Sequence, residues 1–363
     1  MNVVVAAKLS RFACRKLDAT LGWMCFSLER TLQAMLARPY ILGLEFTNIC
    51  NAKCVFCPYQ VQKRPPQYMS DEVFEKAVKD FVDCGGGSVS LTPPVGEALV
   101  HPQFLDRLRY LRSLPGIDRV ALITNAISVD RFGAEEILRA GVSSITVSTA
   151  GFEPESYARL YRSQAYQRMR DNVRALVEAN TRLGRPATIC IALRTDRRLR
   201  EVMQDPDFQA ILAHRPTVDF TWFYRTAGGR VTRDMLSANM KLRPRPRKTA
   251  PCESLYSGLM VLADGTVQVC ETVGAMDAVE DLRIGNVLES SLMKIWAGPE
   301  VRELRQQFMR GKLNKTCATC DSYRNLDLYC SREGRMCASV SRARLGGKWV
   351  KRKGKPRNPF WPG

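Results

Sequence analysis

Cys50, Cys54 and Cys57 lie in Thr47-Asn-Ile-Cys50-Asn-Ala-Lys-Cys54-Val-Phe-Cys57-Pro58, a C-x3-C-x2-C run. Three thiolates on one short loop can hold three irons of a cubane [4Fe–4S] cluster. Such clusters normally take four cysteines, so the fourth iron is left for an outside ligand and therefore for chemistry. A zinc site or structural thiols are the alternatives. Zinc needs a fourth ligand close by, and the chain has only two histidines, His101 and His214. The lead-in Tyr40-Ile-Leu-Gly-Leu-Glu-Phe46 has the pattern of a strand, which predicts the cysteine loop at a strand end.

With 363 residues the chain can bury a full core, as one large or two modest domains. Its 55 Lys and Arg against 36 Asp and Glu give a net charge of +19, which favours an anionic partner: a nucleotide sugar, a nucleic acid or an acidic membrane surface. Met1-Asn-Val-Val-Val-Ala-Ala7 is too short an apolar run for a secretory signal. No stretch approaches the roughly 20 apolar residues of a membrane span. The 13 cysteines are therefore expected to be reduced and cytoplasmic, with most of them available to hold clusters.

The organisation follows from periodicity. Residues 1–39 are expected to form a helical extension, with Leu9, Phe12, Leu17, Leu21, Phe26, Leu28 and Leu32 among basic residues. A helix packed outside the main domain is the simpler reading, and an amphipathic membrane or partner helix is the alternative. From 40 to 240 strand-like and helix-like segments alternate, the signature of βα units around a parallel sheet. The strands are expected at Ile41–Glu45, Ser88–Thr92, Val120–Thr124, Ser144–Ser148, Thr188–Leu193 and Phe220–Tyr224, with helices such as Asp71–Asp83 and Tyr166–Leu183 between them. Residues 241–251 are basic and proline-rich and predict a linker. A second domain is expected over 241–340, beginning with a hairpin at Gly258–Cys270 whose turn is Asp264-Gly265. A basic flexible tail is expected over 341–363, able to touch nucleic acid or a membrane surface.

The cysteine spacing, the aromatic Phe56 before the last cysteine and the strand-like lead-in resemble the radical S-adenosylmethionine (radical SAM) superfamily. The resemblance implies an α/β fold, a partial (β/α)6 barrel with its chemistry at the strand C-terminal ends. It also implies a [4Fe–4S] cluster on Cys50, Cys54 and Cys57 whose open iron chelates SAM. Electron transfer from a one-electron donor such as flavodoxin or ferredoxin then cleaves SAM to methionine and a 5′-deoxyadenosyl radical. Thr92-Pro-Pro-Val-Gly96-Glu97-Ala98 resembles the family's Gly-Gly-Glu-Pro element, which binds the SAM amino group; only Gly96 and Glu97 match. Thr124, Asn125 and Ser148 end strands where family members place groups against the SAM ribose and carboxylate. Arg194 suits the SAM carboxylate or an anionic substrate. Tyr224, Arg225 and Arg230 are candidates for substrate contact.

Cys252-x17-Cys270 followed by Cys317-x2-Cys320 supplies the four thiolates of a closed cluster, with a four-thiolate zinc site as the alternative. The spacing, with Ile284-Gly-Asn-Val287, Ile295-Trp296 and Leu304-Arg305, resembles the auxiliary-cluster twitch domain, the short form of the SPASM domain. It is similar to that of a radical SAM dehydrogenase of aminoglycoside biosynthesis. A full SPASM domain would need about eight thiolates for two clusters; this region has six, which implies one auxiliary [4Fe–4S] cluster. Cys330 and Cys337 are then candidates for a ligand swap, for hydrogen-atom donation to a substrate radical, or for inert packing. Cys14, Cys25, Cys84 and Cys190 are expected to be core or surface thiols.

The resemblance implies an enzyme that abstracts hydrogen from a small-molecule substrate: a sugar, aminocyclitol or nucleotide sugar. Dehydrogenation would use the auxiliary cluster as electron acceptor, and epimerisation would need a cysteine as hydrogen donor. A peptide or protein maturase is the alternative; the residues ahead of the barrel are too few for a winged-helix peptide-recognition domain. A nucleic-acid-binding iron–sulfur scaffold leaves Glu97 and the open-iron cluster unexplained.

Overall fold

Apolar runs separated by amphipathic helices build a parallel sheet, because each helix carries the chain back to the same sheet end. In the computed structural model, which describes residues 32–237, 239–270 and 279–326, six such runs lie side by side. They are β1 (Ile41–Leu44), β2 (Gly87–Leu91), β3 (Ile117–Thr124), β4 (Ser144–Thr149), β5 (Thr188–Leu193) and β6 (Thr217–Phe220), with every neighbouring pair parallel. The principal helices between them are α1 (Asp71–Asp83), α2 (Phe104–Ser113), α3 (Ala134–Arg139), α4 (Pro154–Tyr161), α5 (Tyr166–Arg182), α6 (Leu199–Val202) and α7 (Pro206–Leu212).

The local signals account for these bounds. Ser70 caps α1 by accepting from the Val73 amide at 3.2 Å, and Asp71 and Glu72 sit in its first turn, where the helix dipole favours acids. Its buried face is Val73, Phe74, Ala77, Val78 and Phe81, a helical repeat laid on the sheet. Leu42, Leu44, Val89, Leu91, Val120, Val147 and Ile191 form the buried faces of the strands. Each such side chain contributes about 1.5–3 kcal/mol relative to exposure.

Two expectations are corrected. The sixth strand ends at Phe220; Phe223–Tyr224 (β7) leaves the main sheet and pairs with Lys241–Leu242 (β8). Residues 241–251 therefore begin as a strand rather than as pure linker. Trp222 and Tyr224 carbonyls accept from the amides of Lys241 and Arg243 at 2.8 Å each, which draws this segment against the barrel.

The hairpin is formed by β9 (Gly258–Val261) and β10 (Thr266–Gln268), with β11 (Arg283–Asn286) beside β10. It joins the main sheet: β9 runs parallel to β1 with Ile41 opposite Gly258, giving the order β11-β10-β9-β1-β2-β3-β4-β5-β6. Gly258 permits that approach, since a Cβ there would lie 2.3 Å from the Ile41 carbonyl oxygen. Beyond the sheet come α8 (Ser254–Ser257), α9 (Val279–Leu282), α10 (Leu292–Trp296), α11 (Pro299–Arg310) and α12 (Lys315–Thr319). All of these elements belong to one compact unit, Pro39–Arg324. Cys14, Cys25, Cys330, Cys337, residues 1–31 of the N-terminal extension and the 341–363 tail lie outside the described residues.

His101, buried behind the first strand exit, packs on Phe46 and Tyr68 at ring distances of 5.8 and 5.3 Å. Its Nδ1 accepts from the Gln103 amide at 3.2 Å, which leaves Nε2 to donate to the Met69 carbonyl at 3.3 Å. Desolvation, and then the nearby Arg107 charge, pull its pKa from 6.5 down to about 4. The unfolded chain therefore takes up this proton first as pH falls. The stability tied to the neutral ring is complete above pH 6.5 and is lost as pH drops through about 4. Denaturant midpoints measured across that window should fall more steeply for the wild type than for His101→Phe; parallel curves would refute the assignment.

Candidate active site

The cysteine loop leaves β1 and is fastened to the barrel by main-chain bonds. Lys53 and Val55 amides donate to the carbonyls of Tyr161 and Leu160, at the end of α4, at 3.1 and 2.9 Å. Gln60 Nε2 donates to the Cys54 carbonyl at 2.7 Å, and Gln60 is itself held by Arg162. Asn48 ties the loop's return: its Nδ2 donates to Pro65 O and its Oδ1 accepts from the Gln67 amide, both at 2.8 Å. Phe56 packs against Tyr161 and Tyr224 at 5.5 and 5.2 Å, which seats the segment between Cys54 and Cys57 without backbone bonds to the sheet.

At the root of the loop, the fully buried Glu45 takes both terminal nitrogens of Arg64, at 2.8 and 2.7 Å. Glu45 Oε1 also accepts from the Ala263 amide, in the β9–β10 turn, at 3.2 Å. Burial lifts this carboxyl above the usual range even against the pull of Arg64.

The β2–α2 connection supplies the acid. Gly96 has a φ of +115°, and a Cβ there would stand 2.3 Å from the Thr47 carbonyl oxygen. Only glycine lets this turn lie against the cysteine loop, where the Glu97 amide donates to Ile49 O at 2.9 Å. The buried Glu97 carboxylate accepts from the Asn125 amide at 2.7 Å and the Leu99 amide at 3.2 Å. Desolvation nevertheless lifts its pKa to about 7. Thr124 holds the β3 exit by accepting from the Ala126 amide at 2.9 Å. Asn125 Nδ2 donates to Asn51 Oδ1 at 2.7 Å and lies 3.9 Å from Cys50 Sγ. The structure thus brings Gly96, Glu97, Thr124 and Asn125 to the cysteine loop.

Ser148 and Arg194 have protein partners. Ser148 Oγ shares a hydrogen bond with Tyr161 OH at 2.8 Å, and Arg194 Nη1 donates to Asp219 Oδ2 at 3.1 Å. Tyr224 donates its OH to Thr195 O at 3.2 Å, and Arg230 Nη1 donates to the Ala227 carbonyl at 3.4 Å.

Cys252, Cys270, Cys317 and Cys320 line one cavity with Leu255, Phe308 and Tyr323. Asn314 caps α12 by accepting from the Cys317 amide at 2.7 Å, and Ser322 N donates to Cys320 Sγ at 3.3 Å. Lys248 Nζ reaches the Cys320 carbonyl at 2.8 Å, and Tyr323 OH donates to Ala250 O at 2.8 Å. Those contacts close the segment before Cys252 over the segment around Cys320. The amide of Thr226, two residues beyond β7, donates to Asp321 Oδ2 at 2.5 Å. A short path therefore runs from Phe56 through the Tyr224 ring and Thr226 to Asp321, beside Cys320.

Both thiol sets suit iron–sulfur clusters. Their donors are soft sulfur atoms, yet no group of three or more His, Cys, Asp or Glu among the described residues is gathered as a site for a single ion. Four thiols around a shared cavity supply the ligand number of a closed cubane cluster. Burial pushes the Cys50 thiol up to about 12 and Cys320 to about 11, and raises Cys54, Cys57, Cys252 and Cys317. Thiols ligate iron as thiolates, so loading a cluster would release protons from these raised thiols.

Sequence reasoning did not single out Glu45, Arg64, Asn51, Tyr161, Asp219 or Asp321. Their partners are distant in sequence, up to 218 positions for Glu45 and Ala263, and no local pattern marks them.

Comparison with known proteins adds the family. The radical SAM superfamily model matches residues 44–205, and the SPASM model, an iron–sulfur cluster-binding domain, matches residues 252–321. A GTP 3′,8-cyclase from Mannheimia succiniciproducens is 33% identical over 121 residues, 32% of this chain and 35% of that protein. One from Vibrio vulnificus is 30% identical over 125 residues, 33% of this chain and 36% of that protein. The chain thus matches about a third of the length of these curated relatives. Among solved structures, BtrN in complex with AdoMet and 2-DOIA has a TM-score of 0.51 at 16% identity, covering 79% of this chain and 94% of that one. Streptococcus suis SuiB bound to precursor peptide SuiA has a TM-score of 0.55 at 13% identity, covering 78% and 70%. anSMEcpe with AdoMet and the Cp18Cys peptide has a TM-score of 0.51 at 16% identity, covering 85% and 98%. At these identities the likeness is one of fold. With both cysteine motifs falling inside matched domains, the chain belongs to the radical SAM superfamily and carries a SPASM-type domain, its cofactors being SAM, the [4Fe–4S] cluster that binds it and an auxiliary iron–sulfur cluster.

Proposed function

We propose that this chain is a radical SAM oxidoreductase that takes hydrogen from an unactivated carbon of a small anionic substrate, a sugar, aminocyclitol or nucleotide sugar, giving dehydrogenation or epimerisation. The observation that carries this reading is the short path from the Phe56–Tyr224 contact to Asp321, which ties the cysteine loop to the four-cysteine cavity. An electron acceptor fastened to the reaction site is what dehydrogenation needs and simple SAM cleavage does not. When bound, SAM and its cluster supply the hydrogen-abstracting radical.

The protein's residues position and shield. Cys50, Cys54 and Cys57 would hold the SAM-binding cluster, and Cys252, Cys270, Cys317 and Cys320 the auxiliary one. Glu97, with both oxygens anchored on backbone amides, would receive the SAM amino group, and that ammonium would return the carboxyl to its charged form. Gly96 would admit the loop, while Thr124, Asn125 and Ser148 would line the SAM site. Arg194 and the Tyr224–Arg230 segment would meet the anionic substrate, and the net charge of +19 favours such a molecule. The relatives named GTP 3′,8-cyclase act on an anionic nucleotide, which makes nucleotides the first substrates to screen. The geometry in which the substrate is bound would fix which C–H is attacked. Cys330 or Cys337 would serve as hydrogen donor in an epimerase. Flavodoxin or ferredoxin would supply the first electron in the cytoplasm. Peptide modification is the second reading, favoured by the peptides bound in the SuiB and anSMEcpe structures.

Anaerobic reconstitution should yield about eight irons per chain, falling to about four when Cys50, Cys54 and Cys57 are all changed to Ala. About four falling to none would remove the auxiliary acceptor and this function with it. Cys317→Ala should still cleave SAM to 5′-deoxyadenosine while forming no product; full turnover would show that the auxiliary cluster is dispensable. Glu97→Gln should weaken SAM binding at least about tenfold, the effect of losing a charge-assisted hydrogen bond. Unchanged affinity in equilibrium titrations would take Glu97 out of the SAM site.

A further inference from the structure

α11 carries a buried cation that has no counter-ion among the described residues. Arg305 is only 8% exposed. Its guanidinium stands 4.5 Å from the Trp296 ring centroid and 5.1 Å from that of Tyr256. Nε donates to the Leu255 carbonyl at 2.9 Å, while Nη2 is buried with no hydrogen-bond partner among the described residues. No carboxylate among the described residues pairs with it. Burial draws its pKa down to about 10, so it remains charged at neutral pH. Two aromatic faces recover part of the desolvation cost, but an unpaired buried charge is strongly unfavourable unless an opposite charge lies nearby.

A place for that charge lies behind the wall that Arg305 supports. Leu255, which accepts its hydrogen bond, lines the four-cysteine cavity, and so does Phe308, one turn along α11 on the same helix face. The Tyr256 phenol senses both Arg305 and Cys252.

We propose that Arg305 is the built-in counter-charge of the auxiliary cluster and holds its reduction potential up. A cluster with four thiolate ligands is anionic, and reduction adds one electron to it; potentials of such centres follow net charge and surroundings. A fixed cation close by in a poorly polarisable interior favours the reduced form over the oxidised one. That bias is what an electron acceptor requires. The planar guanidinium also explains the residue type, because it slides between two rings where an ammonium would not stack. The inference rests on the auxiliary cluster occupying this cavity, which iron content reports separately from potential.

The test uses the full-length reconstituted protein as wild type, Arg305→Met and Arg305→Lys. Iron analysis comes first, then a redox titration of the auxiliary cluster followed by electron paramagnetic resonance. Arg305→Met should lower the midpoint so that about tenfold less cluster is reduced at a fixed potential, about 59 mV for one electron, with Arg305→Lys close to wild type. An unchanged midpoint in Arg305→Met, or an equal fall in Arg305→Lys, overturns the proposal. If Arg305→Met fails to hold the auxiliary irons, Arg305→Lys decides. A retained cluster near the wild-type potential supports the counter-charge, whereas loss of iron in both variants means that shape rather than charge is needed and overturns it. A wild-type content of about four irons removes the cluster itself, and the proposal with it.

Discussion

The Glu45 carboxylate is the hub on which the two halves of the described unit depend. It sits at the end of β1, wholly buried, and holds Arg64 from the far side of the cysteine loop and the Ala263 amide from the β9–β10 turn. A carboxylate so placed is expensive to bury, and only the paired geometry makes it tolerable. Removing either partner would leave a charge or an amide stranded. The ion pair therefore acts less as a source of stability than as a selector of one arrangement: the loop must return past Arg64, and the hairpin must dock beside β1.

Docking the hairpin on β1 has a consequence for the chemistry. Cys50 follows β1, and Cys252 and Cys270 flank the β9–β10 hairpin that pairs with it. Cys50 and the Cys252–Cys270 pair are thus anchored beside neighbouring strands of one sheet rather than on domains joined by a free linker. The Thr226–Asp321 bond adds a second tie, from the barrel strand ends to the Cys317–Cys320 pair. Pre-organisation of this kind keeps the cysteine loop and the C-terminal thiols in register, since packed elements shift far less than linked domains.

Much of this was legible beforehand. Periodicity located five of the six parallel strands and helices α1 and α5 to within a few residues, because amphipathic segments bounded by caps and glycines carry their own signal. The sixth strand was misplaced by its aromatic run: Phe220, Trp222, Phe223 and Tyr224 all suit a strand, and only pairing shows that β6 closes at Phe220 while β7 turns away to β8. The hairpin was visible from Asp264-Gly265, yet its partner strand was not, since nothing in Gly258–Val261 names β1. Arg194 illustrates the same limit at the site. Its position at a strand end was read correctly, but its partner Asp219 comes from the adjacent strand.

The sequence by itself determined the donor chemistry: soft thiols at C-x3-C-x2-C and in the C-terminal set, an acid at Glu97, and an alternating βα pattern to carry them. Those are properties of residue type and short-range spacing. Tertiary structure alone decided that the hairpin continues the barrel sheet, that Glu45 joins the loop to that hairpin, and that Arg305 is buried behind the four-cysteine cavity with no carboxylate partner among the described residues. Each depends on which long-range neighbours meet in a closed interior, where desolvation makes unpaired groups costly, and no local pattern records who those neighbours are.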